Sequence, residues 1–345
     1  MMNIKSLLIG SAAAMTMAAG AQAADAIVMP EPEPMEYVRI CDVYGAGFFY
    51  IPGTETCLKI GGYFRYDIYF DGGITKLARF APTFDVRADT EIGTLRGYAE
   101  IEINWQSAER VGVVAGAPAV ITGYGTDVNP LHAYIQILRP NGGSWLFGRT
   151  EVPFTRFLGY GGPTIYDGYY SYRNGQEISY SFAGSNGFNF VAALVDDEDA
   201  NFIPDAEIGF NVIRGWGSIG AIAGLDPDAA AGFAFGLKSA LVINFPNTNG
   251  SFFKIAAAYT NDGASAYAIS GAAAGSEFSV LAGLNLAFSQ KVSLGLTAQW
   301  LSVGGFFGAV GLPVTVAENF VVTPEVVYDG PAGSVYGIVR LQRSF

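Results

Sequence analysis

The sequence predicts an all-β protein, a 16-stranded antiparallel barrel that crosses a membrane. Segments of strict two-residue alternation, each with one apolar and one polar face, recur from residue 58 to the end of the chain. Half of the 345 residues are hydrophobic and only 14% are charged. After residue 23, no apolar run reaches the roughly 18 residues that a transmembrane helix needs. This combination favours strands that face lipid on the outside of a barrel and water on the inside.

The alternation is clearest over residues 78–105. Apolar side chains take the even positions in residues 78–89 and the odd positions in residues 95–105. The turn Glu91–Thr94 joins these two segments. We predict two neighbouring strands, each with one row of side chains towards lipid and one towards water. The predicted water-facing rows are Arg79, Thr83, Asp85, Arg87 and Asp89 on the first part, and Arg96, Tyr98, Glu100, Glu102 and Asn104 on the second.

The chain opens with a sequence typical of an export signal. Lys5 gives the N-terminal region a positive charge, and Leu7–Ala19 is apolar but too short to span a bilayer. Ala21–Ala23 forms an A-x-A cleavage site before Ala24. Residues 1–23 are therefore predicted to be a signal peptide. Removing one lysine from 19 basic and 31 acidic residues leaves 18 against 31, a net charge of −13. This charge argues against a nucleic-acid partner.

Residues 24–57 form a separate predicted unit. Prolines alternate with glutamates between Pro30 and Glu36, which predicts an extended acidic arm. Cys41 and Cys57 follow, and in an exported chain such a pair predicts one disulfide that closes a local loop. For a loop of about 15 residues the chain-entropy model gives a stabilisation of about 3 kcal/mol. Two thiols without a nearby histidine are too few ligands for a metal site.

Residues 58–345 are predicted to form the barrel domain. The strand at about 58–70 opens it, with Lys59, Arg65 and Asp67 on the polar face and large apolar side chains on the other. The same two faces recur in every later segment, although large apolar residues are scarcer between 218 and 245. The remaining strands are predicted near 78–90, 94–105, 128–138, 144–149, 178–182, 188–195, 205–213, 218–225, 232–245, 251–259, 276–288, 292–300, 306–316, 320–328 and 334–345.

Short turns and longer loops are predicted to alternate along the barrel, as in outer-membrane barrels with tight turns at one end and loops at the other. The longer loops include two long connections, 107–127 and 150–175. The short turns are rich in Gly, Asn, Pro and Ser. They lie at Glu91–Thr94, Pro140–Gly143, Ser185–Gly187, Arg214–Gly217, Pro246–Gly250, Ser289–Lys291 and Ala317–Asn319.

The sequence offers little material for catalysis or cofactor binding. The chain has one histidine, His132, and sparse nucleophile motifs, which leaves little for a Ser-His-Asp arrangement. Glu100 and Glu102 share one strand face, but such carboxylate pairs are common on any polar wall. The glycines fall in turns and strands rather than in a phosphate-binding loop. We therefore predict that the protein is not an enzyme, and no cofactor or metal is implied.

Several stretches resemble the alphaproteobacterial general diffusion porins of the rhizobial and Brucella type. The resemblance covers the leader Met2–Leu8, the start Ala24–Val28, and the stretch EYVRICDVYGAGFFYIPGTETCL from Glu36 to Leu58. It continues in the strand Gly62–Asp67 and in the ending Arg340–Phe345. The middle of the chain is similar to the family in layout rather than in sequence.

The resemblance implies a trimer of 16-stranded barrels, each of which passes small hydrophilic solutes and ions across the outer membrane. In such porins the third long loop folds into the lumen, and here that loop is 150–175. The loop would bring Glu151, Tyr166, Asp167 and Tyr169 to the constriction. A basic row on the early strands would face it: Lys59, Arg65, Arg79, Arg87 and Arg96.

Opposed rows of acid and base would orient ions and dipolar solutes in a water-filled constriction, while weak binding keeps the passage open. The simpler alternative is that the arginines only pair with neighbouring acids such as Asp67, Asp85, Asp89 and Glu100 across strands. Both arrangements can hold together, because a paired wall still lines a channel. The net charge favours cations and the basic row opposes them, so the sequence leaves the sign of the ion selectivity open.

Three functions remain open at this point: a general diffusion porin, a channel with a binding track for one substrate, and a structural or adhesive barrel plugged by its N-terminal arm. The expected surroundings are outer-membrane lipid and the barrel assembly machinery. That machinery is expected to read the last strand, where Phe345 supplies the aromatic ending and Arg343 breaks the alternation.

Overall fold

The computed structural model describes residues 39–114, 117–196, 203–229, 232–269 and 275–345. The predicted signal peptide with its cleavage site at Ala23 and Ala24, and the acidic arm up to residue 38, lie outside these ranges. Among the described residues, no helix is long and apolar enough to cross a membrane.

The strands are numbered β1 to β18 in chain order; one short α-helix, α1, spans Pro153–Arg156, and a single 3₁₀ turn spans Asp42–Tyr44. The strands are β1 Phe49–Tyr50, β2 Cys57–Phe70, β3 Ile74–Thr90, β4 Gly93–Val114, β5 Ala117–Leu138, β6 Gly143–Glu151, β7 Asn174–Ala183, β8 Phe188–Val195, β9 Asp205–Arg214, β10 Gly217–Asp226, β11 Ala234–Asn244, β12 Phe252–Thr260, β13 Phe278–Ala287, β14 Ser293–Leu301, β15 Gly305–Gly311, β16 Val314–Ala317, β17 Phe320–Asp329 and β18 Ser334–Ser344.

The sheet closes on itself as an antiparallel barrel. Each strand from β2 onward pairs with the next, except that β15 pairs with β17 rather than with β16, and β18 pairs with β2 from Gly337 opposite Phe70 to Ser344 opposite Tyr63. Strands β15 and β16 both pair with β17 and form one wall strand interrupted at Leu312 and Pro313. The two-residue β1 adds only to the start of β2. The described wall therefore has the predicted 16 strands, which confirms the fold class.

The prediction of a long loop at 107–127 is wrong. Strands β4 and β5 pair along this whole stretch, from Thr94 opposite Leu138 to Val114 opposite Ala117. The sequence hides this hairpin because the stretch is rich in glycine and alanine, whereas the hydrogen bonds that build a ladder come from the backbone. The predicted regular alternation of short turns and longer loops also fails at 71–73, 302–304 and 330–333, which are as short as the turns at the opposite end.

The polarity of the wall is inverted relative to a soluble protein. In β11 the side chain of Lys238 is 5% exposed while its neighbour Leu237 is 47% exposed, and in β17 the same contrast separates Glu325 (3%) from Val326 (59%). Neighbouring residues of a strand point to opposite faces, so charged groups occupy the inside and apolar groups the outside.

The cysteine pair forms the predicted disulfide. Cys41 and Cys57 are bonded, with their Cα atoms 6.1 Å apart. Phe48 is buried against both cysteines, and the guanidinium of Arg87 on β3 lies 5.1 Å from the centroid of its ring. We call residues 41–57 the disulfide loop. It packs against the inner face at the end of the barrel that carries the short turns, which we call the turn end.

Candidate functional site

Residues 152–173 leave the wall after β6 and return to it at β7. We call this stretch the inner segment. Its polar groups bond to side chains of strands β9 to β17 that alternate with exposed apolar residues, so the segment lies against the inner face of that part of the wall. The contacts come in three groups, and together they fix the segment along much of its length.

The first group anchors residues 165–169 of the inner segment to strands β14 and β17. The carboxylate of Glu325 accepts hydrogen bonds from the backbone N–H groups of Ile165 and Tyr166, at 2.6 and 2.7 Å. The amide of Gln299 accepts from the N–H of Tyr169 and donates to its carbonyl oxygen, both at 2.7 Å. The hydroxyl of Tyr169 donates to Asp329 at 2.6 Å. Side chains of the wall thus replace a neighbouring strand as partners of this backbone.

The second group uses two buried lysines. The ammonium of Lys254 on β12 donates to the carbonyl oxygens of Leu158 and Gly159, at 3.4 and 3.3 Å, and to that of Tyr160. The ammonium of Lys238 on β11 donates to the carbonyl of Thr155 at 3.3 Å. These cations therefore bond to backbone carbonyls, and neither forms an ion pair within 4.0 Å in the described part of the chain.

The third group surrounds helix α1. Glu207 on β9 accepts a hydrogen bond from the N–H of Phe154 at 2.7 Å. The Phe154 side chain is buried in an apolar cluster on the inner face, together with Val152, Val195 and Ile222. This cluster is a small apolar core on an inner face that is otherwise polar, and its burial adds to the hydrogen bonds that hold the start of the inner segment.

A second stretch, residues 261–269, also folds inwards and covers α1. Tyr267 is 2% exposed, and its ring meets that of Phe154 edge-to-face with the centroids 4.9 Å apart. The hydroxyl of Ser171 donates to the carbonyl of Tyr267 at 3.0 Å. A Cβ at Gly236 would lie 2.5 Å from the Tyr267 side chain, so the wall needs glycine where this tyrosine packs.

The resemblance implied five basic residues opposite the inner segment, and the structure separates them into two groups. Arg65 and Arg79 are cross-strand partners in β2 and β3, in the middle of the wall. Arg79 pairs with Glu102 and donates to Asn104 at 2.7 Å. Arg65 donates to Gln342 at 2.9 Å, and no carboxylate in the described residues lies within 4.0 Å of it.

The other three predicted basic residues lie towards the turn end. Arg87 and Arg96 both pair with Asp85, at 2.8 and 2.9 Å. Lys59 is exposed and donates to the carbonyl of Ala46 in the disulfide loop at 3.3 Å. These residues therefore neighbour the disulfide loop and one another, and the structure does not bring them together with the inner segment.

The residues predicted at the constriction, namely Glu151 at the end of β6 and three residues of the inner segment, serve largely to brace that segment. Glu151 accepts hydrogen bonds from the hydroxyls of Tyr160 and Tyr172. Asp167 accepts from the N–H of Gly161 at 3.0 Å, and burial raises the pKa of its carboxyl group to about 6. Tyr166 packs edge-to-face on a tyrosine of β18.

The predicted carboxylates of the early strands remain on the inner face but have different partners. Glu102 accepts from Tyr63 at 3.0 Å in addition to Arg79. Glu100 accepts from Tyr98 at 3.2 Å and lies 4.0 Å from the ring nitrogen Nε2 of His132. Asp89 is exposed at the turn end and accepts from Thr94 at 2.8 Å.

The sequence reasoning missed the residues that hold the inner segment, namely Glu207, Lys238, Lys254, Gln299, Glu325 and Asp329. A usable signal was present, since Lys238 is the single charged residue of β11 and Glu325 is one of two charged residues in the mostly apolar β17, both at alternating positions that face inwards. The wall pair between Arg340 and Asp67, with two hydrogen bonds of 2.9 Å, was also missed.

The described residues bring no catalytic constellation to the inner face. No group of three or more His, Cys, Asp or Glu side chains among them could hold a metal ion. What the geometry does provide is a water-facing wall with fixed charges, narrowed on one side by a segment bonded to the wall. Such an arrangement can sort solutes by size and charge.

Comparison with known proteins finds one family model and several relatives that match most or all of the chain. A family model described as "Porin subfamily" matches residues 25–333. The chain is 38% identical over 382 residues to Porin Omp2b of Brucella suis and of Brucella abortus, with 100% of both chains covered. It is 37% identical over 387 residues to Porin Omp2a of Brucella suis, again with full coverage.

Solved structures share the architecture. A triple mutant of the Rhodopseudomonas blastica porin covers 84% of this chain and 100% of its own, with a TM-score of 0.55 and 16% sequence identity. Another mutant of the same porin, 17% identical, also gives a TM-score of 0.55. At this level of identity the likeness concerns the fold alone.

Proposed function

The chain belongs to the porin subfamily, and from this premise we propose that the inner segment and the early strands together form the selective part of its pore. The protein is an outer-membrane porin, a multi-pass β-barrel for passive diffusion of ions and small hydrophilic solutes, and not an enzyme. The family establishes this activity. Which residues select among solutes is our proposal.

The observation that carries the proposal is the uneven use of inner-face side chains. On β9 to β17 they bond to the backbone of the inner segment, as Lys254 and Glu325 do. On β2 to β5 they bond mainly to one another, as Arg79 does to Glu102. The inner segment therefore occupies one side of the lumen and leaves the early strands as the charged surface beside the water path.

Within this surface we assign the main role to Arg65 and Arg79. They are adjacent, and Arg65 has no carboxylate within 4.0 Å in the described residues, so its charge acts on passing ions without a neutralising neighbour. Lys59, Arg87 and Arg96 would set the charge nearer the turn end. Asp85, Asp89, Glu100 and Glu102 would moderate it.

On the opposite side we assign Glu151 and Asp167 a role in shaping the constriction, with Tyr166 and Tyr169 as its aromatic rim. Both carboxylates accept hydrogen bonds from residues of the inner segment, which supports a shaping role. Their charge would add to selectivity only to the extent that it reaches the water path.

A recording from the full mature chain in a planar lipid bilayer tests the proposal. We expect discrete ohmic steps, and a reversal potential in a salt gradient that moves towards cations when Arg65 and Arg79 are neutralised. Steps without such a movement would refute the assignment of Arg65 and Arg79. Absence of steps would indicate a plugged structural or adhesive barrel, and block of the steps by one particular solute would indicate a substrate-specific channel.

We further propose that three such barrels assemble as a homotrimer, inserted by the outer-membrane assembly machinery. Residues 1–23 would direct export and residues 24–57 would form the arm and disulfide loop, ahead of the barrel 58–345. The family model matches from residue 25, next to the proposed cleavage site, which supports the first of these boundaries. Phe345 exchanges two backbone hydrogen bonds with Gly62, which supports its role at the end of the last strand, the one that the assembly machinery is expected to read. Cross-linking of purified protein tests the trimer.

A further inference from the structure

At the end of the barrel that carries the inner segment, a cavity of about 260 Å³ lies between Tyr166 of that segment and strands β2, β3, β4 and β18. We propose that this cavity binds one ring of a neutral carbohydrate, weakly, as the solute enters the pore. The inference rests on the proposed function, because it places the site on the route of a diffusing solute. It goes further in naming a solute class and the groups that would recognise it.

The strand register puts the lining side chains on one patch of the inner face. Tyr69 of β2 lies opposite Thr75 of β3, and Leu77 of β3 lies opposite Gln106 of β4. Cross-strand partners have Cα atoms about 4.5–5.5 Å apart and share a face. The patch is therefore built on three hydrogen-bonded strands, which hold its groups at fixed spacings.

Two tyrosines complete the cavity and are held in place. The ring of Tyr166 meets that of Tyr336 on β18 edge-to-face, with the centroids 5.0 Å apart. The backbone N–H of Tyr166 is fixed by Glu325 at 2.7 Å. The aromatic surface is thus present before any solute arrives, which lowers the entropic cost of binding.

The polar groups of the cavity have unused hydrogen-bonding capacity. The carboxylate of Asp71 and the amide of Gln106 are exposed, and neither forms a hydrogen bond with another side chain in the described residues. The same holds for the hydroxyls of Tyr166 and Tyr336. Polar groups beside aromatic rings, unpaired within the protein and open to water, are the composition expected of a small-solute site.

The balance of donors and acceptors favours a polyol over an ion. Tyrosine hydroxyls and the glutamine amide both donate and accept, which matches the hydroxyls of a sugar. The charge of Asp67 beneath the cavity is already met by Arg340, through two hydrogen bonds of 2.9 Å. Asp71 then remains as a single exposed charge, which would repel anions and hold a cation only weakly in water.

The size of the cavity fits one ring rather than a larger molecule. Pockets for drug-sized ligands hold roughly 300–1,000 Å³, and this one falls just below that range at about 260 Å³. A site for one ring of an oligosaccharide can slow its passage without retaining it, and this is compatible with conduction.

The test uses the full mature chain in planar bilayers, with raffinose, a neutral trisaccharide, as the probe. We expect brief, saturable reductions of the ion current, more frequent when raffinose is added on the side of the inner segment than on the turn side. Gln106→Ala and Tyr336→Phe should each raise the half-blocking concentration about 2- to 10-fold, the range of one lost hydrogen bond. Tyr259→Phe, on the lipid-facing side, is the matched control and should leave it unchanged.

Several outcomes would overturn the proposal. An ohmic pore whose current raffinose does not reduce saturably refutes the site and leaves the porin function intact, whereas absence of any pore refutes both. Saturable block by sulfate or by lysine, without block by raffinose, would show that the site is ionic. If the variants fail to fold, as judged by their migration before and after heating, the dependence of wild-type block on the side of addition decides the question.

Discussion

The two sides of the barrel wall use the same alternating pattern for different purposes. On β2 to β5 the inward charged groups pair mainly with one another, as Arg96 does with Asp85. On β9 to β17 they bond to the backbone of the inner segment, as Glu325 does with two N–H groups. An inward charge in a strand therefore does not by itself indicate contact with the water path. Its role depends on whether the inner segment or open lumen faces it.

The largest expected effect comes from removing an anchor of the inner segment. Glu325→Ala leaves the N–H groups of Ile165 and Tyr166 without their partner, at about 1–3 kcal/mol for each if they stay buried. We expect the segment to detach locally, with a larger single-channel conductance and a noisier open state. Glu318→Ala, an exposed glutamate in a turn, is the control. Wild-type conductance in Glu325→Ala would show that the anchor is dispensable.

A somewhat smaller effect is expected where the second inward stretch packs. Gly236→Ala would place a Cβ 2.5 Å from the Tyr267 side chain and 3.1 Å from Phe154. Overpacking of this kind costs about 1–3 kcal/mol, so we expect a lower unfolding temperature and more frequent closures at high voltage. Gly97→Ala, whose Cβ would meet only an ordinary contact at 3.9 Å, should behave as wild type. Equal behaviour of the two variants would contradict the packing argument.

The next prediction concerns the early strands and changes a charge on their inner face rather than the packing. Arg79→Gln removes a positive charge and frees Glu102, so both changes favour cations. A unit charge about 4 Å from an ion in water contributes about 1 kcal/mol, which limits the change in permeability ratio to about fivefold. The reversal potential measures it, and the conductance should change little. Arg343→Gln removes the same charge from the outer face, where its cross-strand partner is the exposed Phe64, and should have no effect.

The smallest effect concerns pH. Burial raises the pKa of Asp167 to about 6, so its carboxylate is charged at neutral pH and is neutralised as the pH falls through that value. Loss of a negative charge should move the selectivity towards anions between about pH 7 and pH 5. The informative quantity is the difference between wild type and Asp167→Asn, because this comparison removes the contribution of every other group that titrates over the same range. No difference between them would show that the Asp167 charge does not reach the water path.

Much of this architecture could be predicted from the sequence, because alternation reports directly on a wall with lipid on one side and water on the other. The row containing Arg65, Arg79 and Glu102 was placed correctly on the inner face for this reason. The hairpin at 107–127 was missed, since backbone pairing there does not depend on large apolar side chains. The partners of the inner segment were missed for a different reason. A local pattern can mark Glu325 as an inward charge, but it does not identify Tyr166 as its partner, because the two residues are far apart in sequence.

The seam between β2 and β18 has a consequence for how the barrel comes into being. Eight residue pairs close it, from Gly337 with Phe70 to Ser344 with Tyr63. Before they form, both strands are free edges whose N–H and C=O groups would face hydrocarbon without partners, at several kcal/mol for each group. A partly inserted open sheet therefore has no low-energy resting state, and closure and insertion are expected to occur as one cooperative event.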